Sequence, residues 1–182
     1  AWVLRQRGER VAFVCRDLPG NLLEVIRAAG FEAFVLPSAE VSGSSEERDA
    51  AETLAVLGQA PLRVVVDHYG LGAAWERAAR FAGVRSLVVI DDLARLHDCD
   101  VLVDVNLSAG AMGHERLVPP GCDLLLGPSF ALLHPGFLVV RARTAARRDG
   151  HVHRVLVSFG GGEVGAPTRA VVEALADPRF AL

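Results

Sequence analysis

The stretch Pro61-Leu62-Arg63-Val64-Val65-Val66-Asp67-His68-Tyr69-Gly70 constrains the chain most. An apolar, β-branched run broken by one Arg predicts a strand covered on both faces of a parallel sheet. It ends on an acid, an imidazole and a phenol in a row before a Gly turn. Ser86-Leu87-Val88-Val89-Ile90 repeats the pattern and ends in Asp91-Asp92. Val101-Leu102-Val103-Asp104-Val105 repeats it again and ends at Asn106. In open α/β sheets ligands bind beyond the carboxyl ends of the strands, so three polar tips on one edge predict the floor of a site.

The intervening segments predict helices. One covers Trp2 to Arg7 and closes at Gly8; another follows Asn21, a capping residue, and runs through Ala29 to Gly30. Glu46 and Glu47 open a third, which runs towards Leu57-Gly58. A fourth holds Trp75 and Arg80 and ends at Gly83. Arg10 to Cys15, Phe31 to Leu36 and Asp123 to Leu126 read as further strands. Strands alternating with helices predict βαβ units: an α/β fold with a Rossmann-like parallel sheet and flanking helices.

With 182 residues, 51% of them hydrophobic and a mean hydropathy of +0.31, the chain has ample material for a core. A net charge of -3 argues against a nucleic-acid partner, and no apolar run is long enough to cross a bilayer. Cys15, Cys99 and Cys122 are scattered and odd in number. They read as free thiols in a reducing, cytoplasmic compartment. The chain begins at Ala1 inside a helix and ends at Leu182 shortly after another, which predicts a fragment of a longer protein.

Arg141 to Arg154 gathers five arginines with His151 and His153, and reads as a solvated linker in preference to a phosphate-facing patch. The expected organisation is a domain over 1–140, a linker over 141–153 and the start of a second domain over 154–182. In that last part Val155 to Ser158 predicts a strand, Gly160-Gly161-Gly162-Glu163 a glycine run, and Pro167-Thr168 a helix start. That order suits a phosphate loop, but equally a plain tight turn. One strand and one helix cannot bury a core alone, so 155–182 is expected to lack stable packing.

Asp67 reads as a residue that orients the site, and Tyr69, the single tyrosine, as a substrate contact. His68 fits either an acid/base or a hydrogen-bonded structural role. Asp91 and Asp92, adjacent on a strand, cannot both face one pocket. His97 and His114 sit in polar, loop-like context and read as surface residues. No spacing of His, Cys and carboxylates suits a metal, and Gly-x-Ser-x-Gly is absent.

Five blocks then occur in a familiar order: Val-Val-Asp-His-Tyr-Gly (65–70), Val-Ile-Asp-Asp-Leu-Ala (89–94), His-Asp-Cys-Asp-Val-Leu-Val-Asp-Val-Asn (97–106), Leu-Gly-Pro-Ser-Phe-Ala-Leu-Leu-His-Pro-Gly-Phe (126–137) and Ser-Phe-Gly-Gly-Gly-Glu (158–163). In these the chain resembles the UDP-2,4-diacetamido-2,4,6-trideoxy-β-L-altropyranose hydrolases of pseudaminic acid biosynthesis, relatives of the GT-B glycosyltransferases. The resemblance implies two Rossmann-like domains around a UDP-sugar, with water attacking the anomeric carbon and releasing UDP with inversion. It implies no metal; no cofactor and no membrane partner are expected, and of the possible oligomeric states a monomer is favoured.

By the same resemblance Asp67, His68 and Tyr69 form the catalytic group, with Tyr69 touching the sugar. Asp92 and Asn106 bind further along the floor, and Gly160, Gly161, Gly162 and Glu163 meet the diphosphate. The family's Gly-x-Gly-His-x-x-Arg loop is absent, Leu133-His134-Pro135-Gly136-Phe137 replaces Leu-Arg-Pro-Glu-Phe, and Glu163 stands where Asp is common. The expectation is therefore a parent protein that hydrolyses the UDP-sugar and an inactive 182-residue piece. A GT-B glycosyltransferase and a non-catalytic nucleotide-sugar binding module are the alternatives.

Overall fold

The computed structural model describes residues 1–37, 46–58, 61, 63–144, 152, 154–159 and 165–177. The chain divides into two compact units, Ala1–Leu132 and Leu133–Leu182.

The first unit is α/β with parallel pairing throughout, a Rossmann-like arrangement. Its order is α1 (Trp2–Gln6), β1 (Ala12–Arg16), α2 (Leu23–Ala28), β2 (Glu32–Leu36), α3 (Glu46–Leu57), β3 (Arg63–Val66), α4 (Ala73–Phe81), β4 (Ser86–Ile90), β5 (Val101–Asp104) and β6 (Asp123–Leu126). The strands form two sheets, β1-β2 and β3-β4-β5-β6. Val66 pairs with Val89, Ile90 with Val103 and Asp104 with Leu126, so the strands finish together on one edge.

Local chemistry fixes the helix ends. Asn21 Oδ1 accepts the Leu23 N–H at 3.1 Å, but α2 begins at Leu23 with Leu22 in the cap position, so Asn21 stands one residue ahead of the cap expected of it. Gly83 takes φ +103° after α4, a conformation that costs glycine little. The start of α4 has no cap from its own segment. Glu46, at the start of α3, reaches across instead and accepts the N–H groups of Gly72 (2.7 Å) and Trp75 (3.1 Å). A carboxylate there also meets the positive end of the helix dipole.

The core lies between β3–β5 and the helices α3 and α4: Ala50, Val66, Trp75, Ala79, Leu87, Val89, Cys99 and Leu102 are buried together. Trp75 Nε1–H donates to Asp49 Oδ1 at 2.9 Å, which satisfies the one polar atom of that buried ring. Asp49 also accepts from Arg16 Nε (2.9 Å), tying the end of β1 to α3. The expectation of strands covered on both faces holds for β4 and β5 but not for β3. As the outer strand of its sheet, β3 leaves Val65 52% exposed.

The second unit holds α5 (Gly136–Thr144) and α6 (Gly165–Leu175). Arg141 and Arg143 lie in the last turn of α5. Residues 154–159, where a strand over Val155 to Ser158 is expected, take no regular structure. Leu156 is 90% exposed there. An isolated apolar run does not become a strand without a neighbour for its backbone N–H and C=O groups. Among the described residues no helix is long and apolar enough to cross a membrane.

Candidate functional site

The carboxyl ends of β3, β4 and β5 surround an open cavity of about 190 Å³. Asp67, Tyr69, Asp91, Asp92, Asp104 and Asn106 line it, with Ile90, Val103 and Val105. Three polar tips far apart in sequence thus converge as the strand pattern predicts. The cause is the parallel register, which brings successive strand ends to one edge.

The two neighbouring aspartates that follow β4 have different surroundings. Asp91 is buried, and its carboxylate is fully engaged. Oδ1 accepts from Arg95 Nε (3.2 Å) and Nη2 (2.9 Å), and Oδ2 from the Leu93 N–H (3.2 Å). Burial pushes the Asp91 carboxyl up, but the hydrogen bonds of Arg95, His97 and Leu93 outweigh it and hold the group below its ordinary value. Asp92 Oδ2 accepts from Asn106 Nδ2 at 3.0 Å, while Asp92 Oδ1 is buried with no protein partner among the described residues. Of the two, Asp92 is therefore the one whose carboxylate keeps an oxygen without a protein partner among the described residues.

Tyr69 is 66% exposed at the rim. The charge of Asp92 pushes its phenol above the ordinary tyrosine value, with smaller contributions from desolvation and from the charges of Asp91 and Asp67. His68 does not line the cavity. Its Nδ1 accepts the Gly70 N–H at 3.0 Å, folding the ring over its own turn. A Cβ at position 70 would lie 2.9 Å from His68 Cε1, so a side chain there would displace the His68 ring from this position. Gly160, Gly161, Gly162 and Glu163 lie outside the described residues.

His97 and His114, expected at the surface, are 5% and 1% exposed. Each is buried because strand-end and helix carboxylates partner its ring. His97 Nδ1 faces Glu76 Oε1 at 2.7 Å and its Nε2 faces Asp91 Oδ2 at 3.1 Å. An imidazolium donating from both nitrogens suits that geometry. Burial pushes His97 down, yet the hydrogen bonds to Glu76 and Asp91 prevail and raise its pKa. His114 Nε2 lies 3.0 Å from Asp104 Oδ2, and its Nδ1 is buried without a partner among the described residues. Asp104 Oδ1 accepts the Asn106 N–H at 2.9 Å, so this pair sets the backbone of the third tip.

Asp104, Glu76, Arg95 and the two histidines were thus not distinguishable as site residues in the sequence. The one available signal was the acid at Asp104 inside an apolar run, which predicts a paired partner. No cluster of three or more metal-ligating side chains occurs among the described residues.

No family model matches the chain. Over 136 residues, 74% of its length, it is 29% identical to the UDP-2,4-diacetamido-2,4,6-trideoxy-beta-L-altropyranose hydrolase of Campylobacter jejuni subsp. jejuni. The match takes in 45% of that protein's length, so the chain corresponds to about half of the relative. What the chain is similar to is thus a hydrolase, by its name, of a UDP-linked diacetamido sugar.

Proposed function

We propose that the β3–β5 cavity receives the sugar of a UDP-linked 2,4-diacetamido-2,4,6-trideoxy sugar, and that the protein releases UDP from it by hydrolysis. The observation that carries this reading is the lining: Asp67, Asp91, Asp92 and Asp104 with no cationic side chain among them. Asp91 is paired with Arg95 and His97 and Asp104 with His114, so Asp67 and Asp92 are the carboxylates left to disfavour a diphosphate and to accept from hydroxyl and amide N–H groups, which a diacetamido sugar supplies. About 190 Å³ is below the roughly 300–1,000 Å³ of pockets for whole drug-sized ligands, which suits one ring and not a complete nucleotide sugar. The similarity to the Campylobacter hydrolase points the same way.

In the proposed reaction a water oxygen bonds to the anomeric carbon as the bond from that carbon to the β-phosphate oxygen breaks. UDP leaves with the electron pair, and the attacking water's surplus proton passes to solvent. Positive charge develops on the sugar ring in such a displacement, and nearby carboxylates stabilise it. Tyr69 and Asp92 meet the sugar, Asp67 and Asn106 complete the floor, and His68 shapes the turn that carries Tyr69. The reading assigns the diphosphate to Gly160, Gly161, Gly162 and Glu163.

The test is UDP release from the UDP-linked sugar by the full gene product, with EDTA present and no acceptor. Release that falls about 100-fold or more in Tyr69→Phe supports the reading. Silence without an acceptor, with release restored by an acceptor sugar, replaces it with glycosyl transfer.

A further inference from the structure

Arg95 occupies a place that the lining of the cavity does not explain. Its guanidinium joins two strand ends. Nε and Nη2 hold Asp91 Oδ1 after β4, while Nη2 donates to the His68 carbonyl (3.1 Å) and Nη1 to the Tyr69 carbonyl after β3. The planar fork of arginine suits this three-point contact, which a single ammonium cannot reproduce.

The anchor behind Arg95 is rigid. Asp91 donates its N–H to the Val103 carbonyl (3.1 Å), and its carboxylate meets His97. His97 in turn meets Glu76 of α4 and donates its N–H to the Leu117 carbonyl at 2.8 Å. Ala94, at φ +49°, is the one non-glycine residue in the left-handed region among the described residues, and it lies between Asp91 and Arg95. The far side of the contact is soft by comparison. Asp67, His68, Tyr69 and Gly70 are all exposed, and the turn's own bonds are local: Gly70 N–H to His68 Nδ1, and Leu71 N–H to the His68 carbonyl.

We infer that Arg95 is a positioning residue, anchored to α4 through Asp91, His97 and Glu76, that sets where Tyr69 stands over the cavity. Its functional meaning rests on the reading of that cavity as a sugar site.

Tyr69 is the single tyrosine, so tyrosinate absorbance reports on it alone. Arg95→Lys keeps the charge and removes the fork. The expected result is a folded variant, by circular dichroism, whose phenol titrates lower than in the unmutated chain, closer to free tyrosine, as the ring drifts from Asp92. In the gene product kcat for UDP release should fall, by up to about 100-fold for a displacement near 1 Å, with KM less affected. A folded Arg95→Lys that titrates like the unmutated chain overturns the inference.

Should Arg95→Lys fail to fold, the nitrogen-15 spectrum of the Arg95 side chain in the unmutated chain decides. Slow guanidinium rotation with protected Nη protons supports the clamp, and fast rotation overturns it. These spectroscopic tests need no ligand, so their failure leaves the sugar reading standing. Absence of UDP release from the unmutated gene product overturns the sugar reading and leaves the clamp.

Discussion

Glu76 Oε1 and His97 Nδ1 lie 2.7 Å apart, both side chains shut off from solvent, and the bond ties α4 to the loop that follows β4. Two carboxylates share this one imidazole, since Asp91 meets its other nitrogen. Glu76 also accepts the Asp98 N–H through Oε2. Removing one partner of such a buried group leaves charge without compensation. Glu76→Ala is therefore expected to destabilise the fold by about 3–5 kcal/mol, read as a shift in urea midpoint. A change below about 1 kcal/mol would contradict the pairing.

The same network sets a pH dependence. The folded pKa of His97 is raised, so its contribution is complete below the ordinary histidine value of about 6.5 and is lost as pH rises through the folded value. The folded pKa of Asp91 is lowered, so its contribution is present above about 3.9 and is lost as pH falls through the folded value. Together they predict greatest support from the network between about pH 4 and 6.5. Melting temperatures across pH should show a decline on the alkaline side that His97→Asn flattens. An unchanged alkaline limb in that variant would contradict the assignment.

Leu102 in β5 is 0% exposed and belongs to the main core, whereas Phe81 at the end of α4 is 97% exposed. Leu102→Ala should cost about 2–5 kcal/mol, from lost burial and the cavity left behind. Phe81→Ala should stay within about 0.5 kcal/mol of the unmutated chain. Chemical denaturation of the two variants, side by side, checks where the core lies.

Cys99 and Cys122 have their sulfurs 3.7 Å apart and both are free. Burial pushes the Cys99 thiol far above its ordinary value, and Cys99 is 2% exposed. A thiol-directed reagent should leave Cys99 unmodified in the folded chain and label it only on unfolding. Mass spectrometry of the labelled peptides reads this directly; rapid native labelling of Cys99 would contradict the packing.

Much of the first unit was legible because its signals are local. Apolar β-branched runs, Gly stops and the acids at Glu46 and Glu47 mark elements that lie where the sequence predicts them. The meeting of the Asp67, Asp92 and Asn106 tips followed from the parallel topology. The buried pairings were not legible, because His97 meets Glu76 across 21 residues and no periodicity records that distance. Val155 to Ser158 misled for the converse reason: its composition favours a strand, but pairing, not composition, makes one.

The central claim is that the acidic cavity holds the sugar and not the nucleotide, and the affinity of Asp92→Ala for two ligands tests it most directly. With the full gene product, the variant should bind the UDP-linked diacetamido sugar about 10- to 100-fold more weakly, as for loss of a hydrogen bond to a charged group, and bind UDP unchanged. Equal weakening for both ligands, or none for the sugar nucleotide, would contradict the account.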